Sequence, residues 1–71
     1  MNFEIIASSR CGRDNASIVL CALPGNTVTP YVTWYMRDDG ERFWGSYCYS
    51  LEEAADDYKE RCKRYGCKFA A

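Results

Sequence analysis

Residues 31–66 read YVTWYMRDDGERFWGSYCYSLEEAADDYKERCKRYG. This pattern predicts a β-hairpin that turns at Asp39-Gly40 and continues, after a short hinge, into a helix that begins at Leu51. A two-residue Asp-Gly turn favours the type I′ geometry, because both central residues need positive φ, which Asp tolerates and Gly adopts freely. We therefore expect the rest of the chain to be arranged around this hairpin and helix.

The tight turn also predicts the register of the strands at residues 31–37 and 42–49. Four opposed pairs follow: Arg37 with Arg42, Met36 with Phe43, Tyr35 with Trp44, and Trp34 with Gly45, which leaves room for the indole. The face expected to lie under the helix carries Val32, Trp34, Met36, Phe43, Tyr47 and Tyr49. The face expected to point outward carries Tyr31, Thr33, Tyr35, Arg37, Arg42, Trp44, Ser46 and Cys48.

The predicted helix has a start signal, an apolar stripe and a stop signal. Ser50 is a typical N-cap, and Glu53 three residues later completes a capping box. Gly66 is expected to end the helix as a left-handed residue. The stripe expected to face the sheet consists of Leu51, Ala55, Tyr58, Cys62 and Tyr65.

Two further strands are predicted before the hairpin, at residues 3–7 and 17–23, joined by a loop at residues 9–15. The first should place Phe3, Ile5 and Ala7 on one face, and the second is apolar on both faces, which predicts a central position in the sheet. The whole chain, residues 1–71, is therefore expected to be one α+β domain. It should contain a four-stranded antiparallel sheet with the order ββββα and one C-terminal helix packed on one face.

Composition limits the classes of function. The 71 residues are 48% hydrophobic and 15% aromatic, which is typical of a folded domain rather than a solvated tail. The formal net charge of -1 lacks the basic excess of a small protein that binds nucleic acid through its charge alone. No stretch has the apolar length of a membrane span or an export signal, so we expect a cytoplasmic protein without a membrane partner.

The chain has no catalytic signature. It contains no histidine, no glycine-rich phosphate loop, and no serine or cysteine with an identifiable base partner. The acid pairs at residues 38–39 and 56–57 have structural roles in the turn and at the helix start. The sequence therefore predicts a protein that is not an enzyme.

Five cysteines without an export signal indicate reduced thiols or metal ligands rather than disulfides. With four up-and-down strands and a returning helix, Cys11, Cys62 and Cys67 should converge at one end of the domain, and Cys21 supplies a fourth thiolate if the loop folds inward. Cys48 should lie at the opposite end. Two interpretations stay open: a structural zinc site formed by Cys11, Cys21, Cys62 and Cys67, or buried free thiols that act as small hydrophobes.

The outward face of the hairpin is the predicted partner-binding surface. Its aromatic side chains suit an interface anchor, and its opposed arginines need an anion between them. The candidate residues are Tyr31, Tyr35, Arg37, Arg42 and Trp44. The alternative is that a second copy of the chain covers this face in a homodimer.

The segment from residue 37 to residue 58 resembles the last hairpin and helix of AP2-type and integrase arm-type DNA-binding domains. The resemblance is carried by Arg37-Asp38, Gly40, Arg42-Phe43-Trp44-Gly45, Tyr47, Ser50, Glu52-Glu53-Ala54-Ala55 and Tyr58. It implies a sheet that lies in the major groove, with Arg37, Arg42 and Trp44 at DNA-contacting positions. The chain departs from that family in having an extra strand pair, no further basic residues in the third strand, and an acidic net charge.

In size, charge and aromatic content the chain is also similar to the small single-domain proteins that phages and mobile elements use against host nucleases, including anti-CRISPR proteins. That resemblance implies an inhibitor that occludes a surface of a nucleoprotein and needs no active site. The sequence thus predicts a protein-binding inhibitor of a nucleic-acid-processing complex such as a CRISPR nuclease. A DNA-binding module of the AP2 type is the alternative.

Overall fold

The computed structural model describes residues 2–12 and 15–67. Its elements are strands β1 (Glu4–Arg10), β2 (Ala16–Ala22), β3 (Tyr31–Arg37) and β4 (Arg42–Cys48), followed by helix α1 (Leu51–Arg64). The strands form one antiparallel sheet in the order β1-β2-β3-β4, and the helix packs on one face. The predicted α+β class and the central position of β2 are confirmed.

Strand β2 is buried on both sides, as its unbroken apolar sequence predicts. Ile18 and Leu20 lie in the core beneath the helix, whereas Val19 and Cys21 belong to a second core on the other face of the sheet. A central strand of an antiparallel sheet alternates between faces at every residue, so burying both sides requires apolar residues at successive positions. Strand β2 is therefore shared by the two cores.

The hairpin turn is one residue longer than predicted. The Gly40 N–H donates to the Arg37 carbonyl at 2.9 Å, and the Arg37 N–H donates to the Glu41 carbonyl at 2.8 Å. Gly40 has a φ of 93°. This is a three-residue loop, a turn closed by a glycine in the left-handed region, so the predicted two-residue turn is wrong.

The longer loop shifts the register next to the turn, and a β-bulge then shifts it back. Near the turn, Met36 pairs with Arg42 and Tyr35 with Phe43. Beyond the bulge the pairs are Thr33 with Ser46, Val32 with Tyr47 and Tyr31 with Cys48. Between these two sections Trp34 faces both Trp44 and Gly45, two residues against one. The predicted pairs of Arg37 with Arg42, Met36 with Phe43 and Tyr35 with Trp44 are therefore wrong, whereas Gly45 does lie opposite Trp34 within the bulge.

The helix covers the face of the hairpin that was expected to point outward. Tyr31 and Tyr35 pack against the helix-side core, and Thr33, on the same face, is fully buried. The predicted helix-facing set around Val32, Trp34 and Met36 lies on the opposite, open face. The prediction followed apolar content, but Cys48 at the end of β4 packs toward the helix side and only two residues separate it from Leu51.

The open face carries its own core under Trp34. The indole is only 6% exposed and lies in the space left by Gly45, where an added Cβ would be 2.6 Å from Trp34 Nε1. Phe3 packs edge-on against the indole at 5.3 Å, and the Arg42 guanidinium lies 4.8 Å from its ring centre. The predicted role of Gly45 is confirmed, although it operates on the open face.

The helix ends are formed as predicted. The Ser50 side chain accepts from the Glu53 N–H, and Glu53 reaches back to the Tyr49 N–H. After the helix Gly66 has a φ of 66°, and the Cys67 N–H donates to the Cys62 carbonyl in a Schellman motif.

The buried stripe of the helix and one strand face differ from their predictions. The buried helical residues are Ala54, Tyr58 and Cys62, whereas Leu51 is 47% exposed. The rest of the predicted stripe is confirmed, because Ala55 and Tyr65 also pack against this core; Leu51 was included wrongly and Ala54 was missed. In β1 the register shifts between Ile5 and Ala7, so these two residues lie on opposite faces rather than on one.

Candidate functional site

Four aromatic side chains form one cluster where β3 and β4 meet the end of the helix. We call this group, Tyr35, Phe43, Trp44 and Tyr65, the Trp44 cluster. Tyr35 is central, with ring centres at 5.2 Å from Trp44 and 5.3 Å from Tyr65. The Trp44 and Tyr65 rings are parallel to within 6°, with centres 6.5 Å apart. Because the cluster combines two strands with the residue that caps the helix, the packing of the helix positions it.

Trp44 is exposed, but its backbone is held. The residue is 63% exposed and has a φ of 53°, in the left-handed region that a non-glycine residue adopts at a cost of about 1 kcal/mol or more. Its carbonyl accepts a hydrogen bond from Arg61 Nη2 at 2.5 Å. The bulge, this hydrogen bond and the stacking on Tyr65 hold a large apolar ring in solvent in a defined orientation.

A chain of polar contacts connects this exposed residue to the buried Thr33 at the centre of the sheet. Thr33 donates its hydroxyl hydrogen to Asp57 Oδ2, and the same carboxylate oxygen lies 3.2 Å from Arg61 Nε. Arg61 in turn holds the Trp44 carbonyl. A threonine buried under a helix needs a partner, and Asp57 supplies it. The orientation of Trp44 is thus coupled to the packing of helix on sheet.

Charges are distributed unevenly along the helix. The last turn carries Arg61, Lys63 and Arg64, next to the Trp44 cluster, whereas the first turn carries Glu52 and Glu53. Arg37 is exposed and lies two residues from Tyr35 on the same face of β3. The Trp44 cluster is therefore bordered by basic groups, despite the negative net charge of the chain.

The structure does not bring all five predicted partner-binding residues together. Tyr35 and Trp44 are in contact, and Arg37 lies on their side of the sheet. Arg42 is on the open face, with its guanidinium 4.6 Å from the Phe3 ring centre. Tyr31 is partly buried beside Cys48, far along β3 from the turn. The expectation of one outward row was wrong, because the turn and the bulge changed which side chains share a face.

Phe43 and Tyr65 belong to the cluster but were assigned to the core by sequence reasoning. The sequence predicted Phe43 on the strand face under the helix and Tyr65 on the helix face toward the sheet. Both do lie between helix and sheet, in contact with Tyr35. The missing information was the length of the turn, which brings Phe43 opposite Tyr35 rather than Met36. No local pattern marks Trp44 as a residue with positive φ, since such positions are usually glycine.

Three of the four predicted zinc ligands converge. The Cys67 thiol donates to the Cys11 sulfur at 2.8 Å, and Cys62 packs in the same core. Burial raises the pKa of the Cys62 thiol, and the hydrogen bonds from Ser9 and Tyr58 oppose this increase. Burial, followed by its contact with Cys11, raises the pKa of the Cys67 thiol. Both thiols are therefore mainly protonated at neutral pH, and each must lose its proton before it can react.

The fourth predicted ligand is elsewhere. Cys21 lies in the core of the open face, where burial raises the pKa of its thiol to about 11. The sheet separates it from Cys11, so the predicted four-cysteine zinc set is not assembled. Within residues 2–12 and 15–67, no group of three or more histidine, cysteine or acidic side chains is arranged to hold a metal ion. Cys48 lies by the helix start, as predicted, and its thiol donates to the Ser46 carbonyl.

An open groove of about 550 Å³ lies at the other end of the domain, beside the β2–β3 loop. It is lined by Asn2, Leu23, Pro24, Gly25, Asn26, Thr27, Val28 and Tyr47. The Asn26 side chain accepts from the Val28 and Thr29 N–H groups, so it serves to fold the loop. The residues that line the groove carry no carboxylate and no cationic side chain.

Comparison with known proteins gives no relative: no family model, no curated protein and no solved structure matches the chain. In the part of the chain that the structure describes, none of the helices has the length and apolar character needed to cross a membrane. The site must therefore be interpreted from its own geometry.

Proposed function

We propose that this chain is a non-enzymatic binding protein of the cytoplasm that occludes a surface of a nucleoprotein, in the manner of the phage inhibitors of CRISPR nucleases. The observation that carries the proposal is Trp44, a tryptophan exposed to solvent yet fixed in orientation. Ordering a side chain before binding reduces the entropy lost on association, and tryptophan is among the most frequent interface anchors. A ring of this kind suits a recess in a macromolecular partner.

The charges around the ring indicate the chemistry of that partner. Arg37 is exposed on the same face of β3 as Tyr35, and Lys63 is exposed in the last turn of the helix, which ends at the cluster. Cationic groups that border an apolar anchor favour a partner surface with carboxylates or phosphates around an apolar pocket. Nucleoproteins present both kinds of group.

The contacts of three acidic side chains support a function that needs no active site. Asp38 binds Arg10, Asp39 accepts from the Glu41 N–H, and Asp57 holds Thr33 and Arg61. Each is engaged in positioning the fold. A general acid or base would need to be directed at a pocket instead.

The DNA-binding alternative receives less support from the geometry. Among the three positions that the AP2-type resemblance implies, Arg37 and Trp44 lie on the helix side of the sheet and Arg42 on the open side. A sheet that enters a major groove must present its contacting residues on one face. The two proposals differ strongly in their dependence on salt, because release of counterions weakens DNA binding as salt rises.

The test uses the full chain and a panel of purified RNA-guided nucleases with a fluorescent duplex target. Binding and inhibition of cleavage by at least one nuclease are expected, with a loss of about 30-fold or more in affinity for Trp44→Ala. Tyr49→Ala is the matched control, since Tyr49 is also an exposed aromatic residue but lies at the other end of the helix; its affinity should change by less than about threefold. Equal binding by wild type and Trp44→Ala would overturn the proposal. Tight binding to the duplex alone that is lost steeply between low and high salt would favour the DNA alternative.

A further inference from the structure

Cys11 and Cys67 lie side by side although they are far apart in the chain. Their sulfur atoms are 2.8 Å apart, and their backbones form an isolated antiparallel bridge. The neighbouring glycines are also close, since a Cβ added at Gly12 would lie 3.6 Å from the Gly66 carbonyl oxygen. The segment after the helix is therefore aligned with the end of the first strand.

The backbone geometry of this bridge is suitable for a covalent link. The Cys11 N–H donates to the Ala16 carbonyl and the Cys67 N–H to the Cys62 carbonyl, so the two residues form a non-hydrogen-bonded pair. In such pairs the Cα atoms are about 4.5 Å apart and the side chains approach closely. Disulfides span Cα separations of about 4.4–6.8 Å. Both thiols can therefore be joined with little movement of the backbone.

We propose that Cys11 and Cys67 form a reversible oxidation site whose co-reactant is a low-molecular-weight disulfide such as oxidised glutathione. In the first step the Cys67 sulfur loses its proton, bonds to one sulfur of the small disulfide and releases the other as a thiol. In the second step the Cys11 sulfur loses its proton, displaces the remaining small thiol and bonds to Cys67. Two protein thiols lose two electrons in total, and one small disulfide gains them to become two small thiols.

Accessibility sets the order of these steps and the choice of cysteines. Cys67 is partly exposed, whereas Cys11 is 2% exposed, so Cys67 meets the co-reactant and Cys11 resolves the mixed disulfide. Cys21 and Cys48 are buried at other places in the fold. Cys62 is close to the pair but fully buried, which makes it the one competitor to be tested among the described cysteines.

The link would close most of the chain into a ring. It would tie the loop after β1 to Cys67, the last residue of the Schellman motif, two positions beyond Tyr65 of the Trp44 cluster. A cross-link of this loop length restricts the unfolded chain strongly and stabilises the fold. The site is independent of the binding function and applies whatever partner the protein has.

The test begins with the full reduced chain, equilibrated with EDTA in buffers of increasing oxidised-to-reduced glutathione ratio. Trypsin separates the three candidate cysteines, because cleavage at arginine and lysine leaves them in the peptides 11–13, 62–63 and 65–68. We expect a loss of two hydrogen atoms from the intact mass, a link between peptides 11–13 and 65–68, and a melting temperature raised on the order of 10 °C.

Variants distinguish the chemistry from a change in folding. Cys62→Ser should form the same link, whereas Cys11→Ser should stop at the mixed disulfide and carry one glutathione on Cys67. Cys67→Ser should form neither the link nor the mixed disulfide with glutathione. Five free thiols in oxidising buffer, or a link that involves Cys62, would overturn the proposal; both outcomes are seen in the wild-type peptide map without any variant.

Discussion

The two faces of the sheet are both buried at their centres, but different groups bury them. On the helix side, α1 covers Thr33 and the polar contact is satisfied by Asp57. On the open side, Trp34 packs in one core with Val19 and Val32, and Phe3 and Arg42 lie against its ring. One large side chain with space to lie flat can replace an element of secondary structure as a cover.

The two tryptophans differ in burial: Trp34 lies in the open-face core, whereas Trp44 lies at the surface. Trp34→Ala should lower the free energy of unfolding by about 3–5 kcal/mol, since it removes most of the cover of that face. Denaturant unfolding followed by circular dichroism measures it. Trp44→Ala is the matched control and should cost less than about 1 kcal/mol, because its ring is mostly exposed. A larger cost for Trp44→Ala than for Trp34→Ala would reverse the assignment of the two faces.

Gly45 provides the space in which Trp34 lies. In Gly45→Ala the new methyl would be 2.6 Å from Trp34 Nε1 and 3.0 Å from Cδ1, so the indole must move. We expect a loss of about 1–3 kcal/mol and a red shift of tryptophan emission as the ring becomes exposed. Gly12→Ala, whose methyl would have its nearest neighbour at 3.6 Å, is the control and should be nearly neutral. An unchanged emission spectrum would show that the cover does not depend on this close approach.

On the helix side, the buried hydroxyl of Thr33 anchors the covering helix through its hydrogen bond to Asp57. Thr33→Val keeps the shape but leaves the Asp57 carboxylate with one donor fewer, which should cost about 1–2 kcal/mol in denaturant unfolding. Thr27→Val, at an exposed loop position, should change stability by less than about 0.5 kcal/mol. If Thr33→Val were as stable as the wild type, apolar burial alone would account for helix packing. The helix side would then resemble the open side.

The smallest expected effect concerns the ion pair that joins β1 to the hairpin turn. Arg10 makes two hydrogen bonds to Asp38, at 2.6 and 2.8 Å, and these bonds lower the pKa of the carboxyl group. The lowered pKa means that the contribution to stability is present above the pKa of an unfolded aspartate, about 4, and is lost as the pH falls through the lower folded value. Because the pair is exposed, the effect should be slight.

Melting temperatures from pH 2 to pH 7 test this pair. Wild type should exceed Asp38→Asn near neutral pH, and the difference should disappear in acid. Arg10→Gln removes the partner of Asp38. In the Arg10→Gln background, adding Asp38→Asn should therefore leave the melting temperature unchanged at neutral pH as well. An equal difference between wild type and Asp38→Asn at every pH would assign the effect to the turn rather than to the ion pair.

The parts of the structure that sequence predicted correctly depend on local chemistry. The Ser50 cap, the Gly66 ending, the bounds of β3 and the central β2 follow from neighbouring residues in the chain. The convergence of Cys11, Cys62 and Cys67 followed from up-and-down topology, which is also a simple rule. Such signals do not require knowledge of how one element packs on another.

The register errors next to the turn arose from parity, whereas the wrong choice of the face that the helix covers came from following apolar content. Because successive strand residues point to opposite faces, one additional residue in the turn reverses every assignment until another irregularity restores it. The sequence Asp-Asp-Gly is compatible with both a two-residue and a three-residue loop, and nothing local indicates that Trp44 adopts a positive φ. The site prediction inherited this error: it named Trp44 and Tyr35 correctly as neighbours but placed Arg42 beside them and left Tyr65 out.

Each outer strand of the sheet carries one irregularity, at Ile6 in β1 and at Trp44 and Gly45 in β4. Outer strands expose unpaired backbone groups, which can recruit strands from other molecules into fibrils. An extra residue bends the strand and interrupts the even spacing that such recruitment needs. The same irregularity that presents Trp44 to solvent should therefore also help to keep concentrated solutions of the protein free of edge-to-edge aggregation.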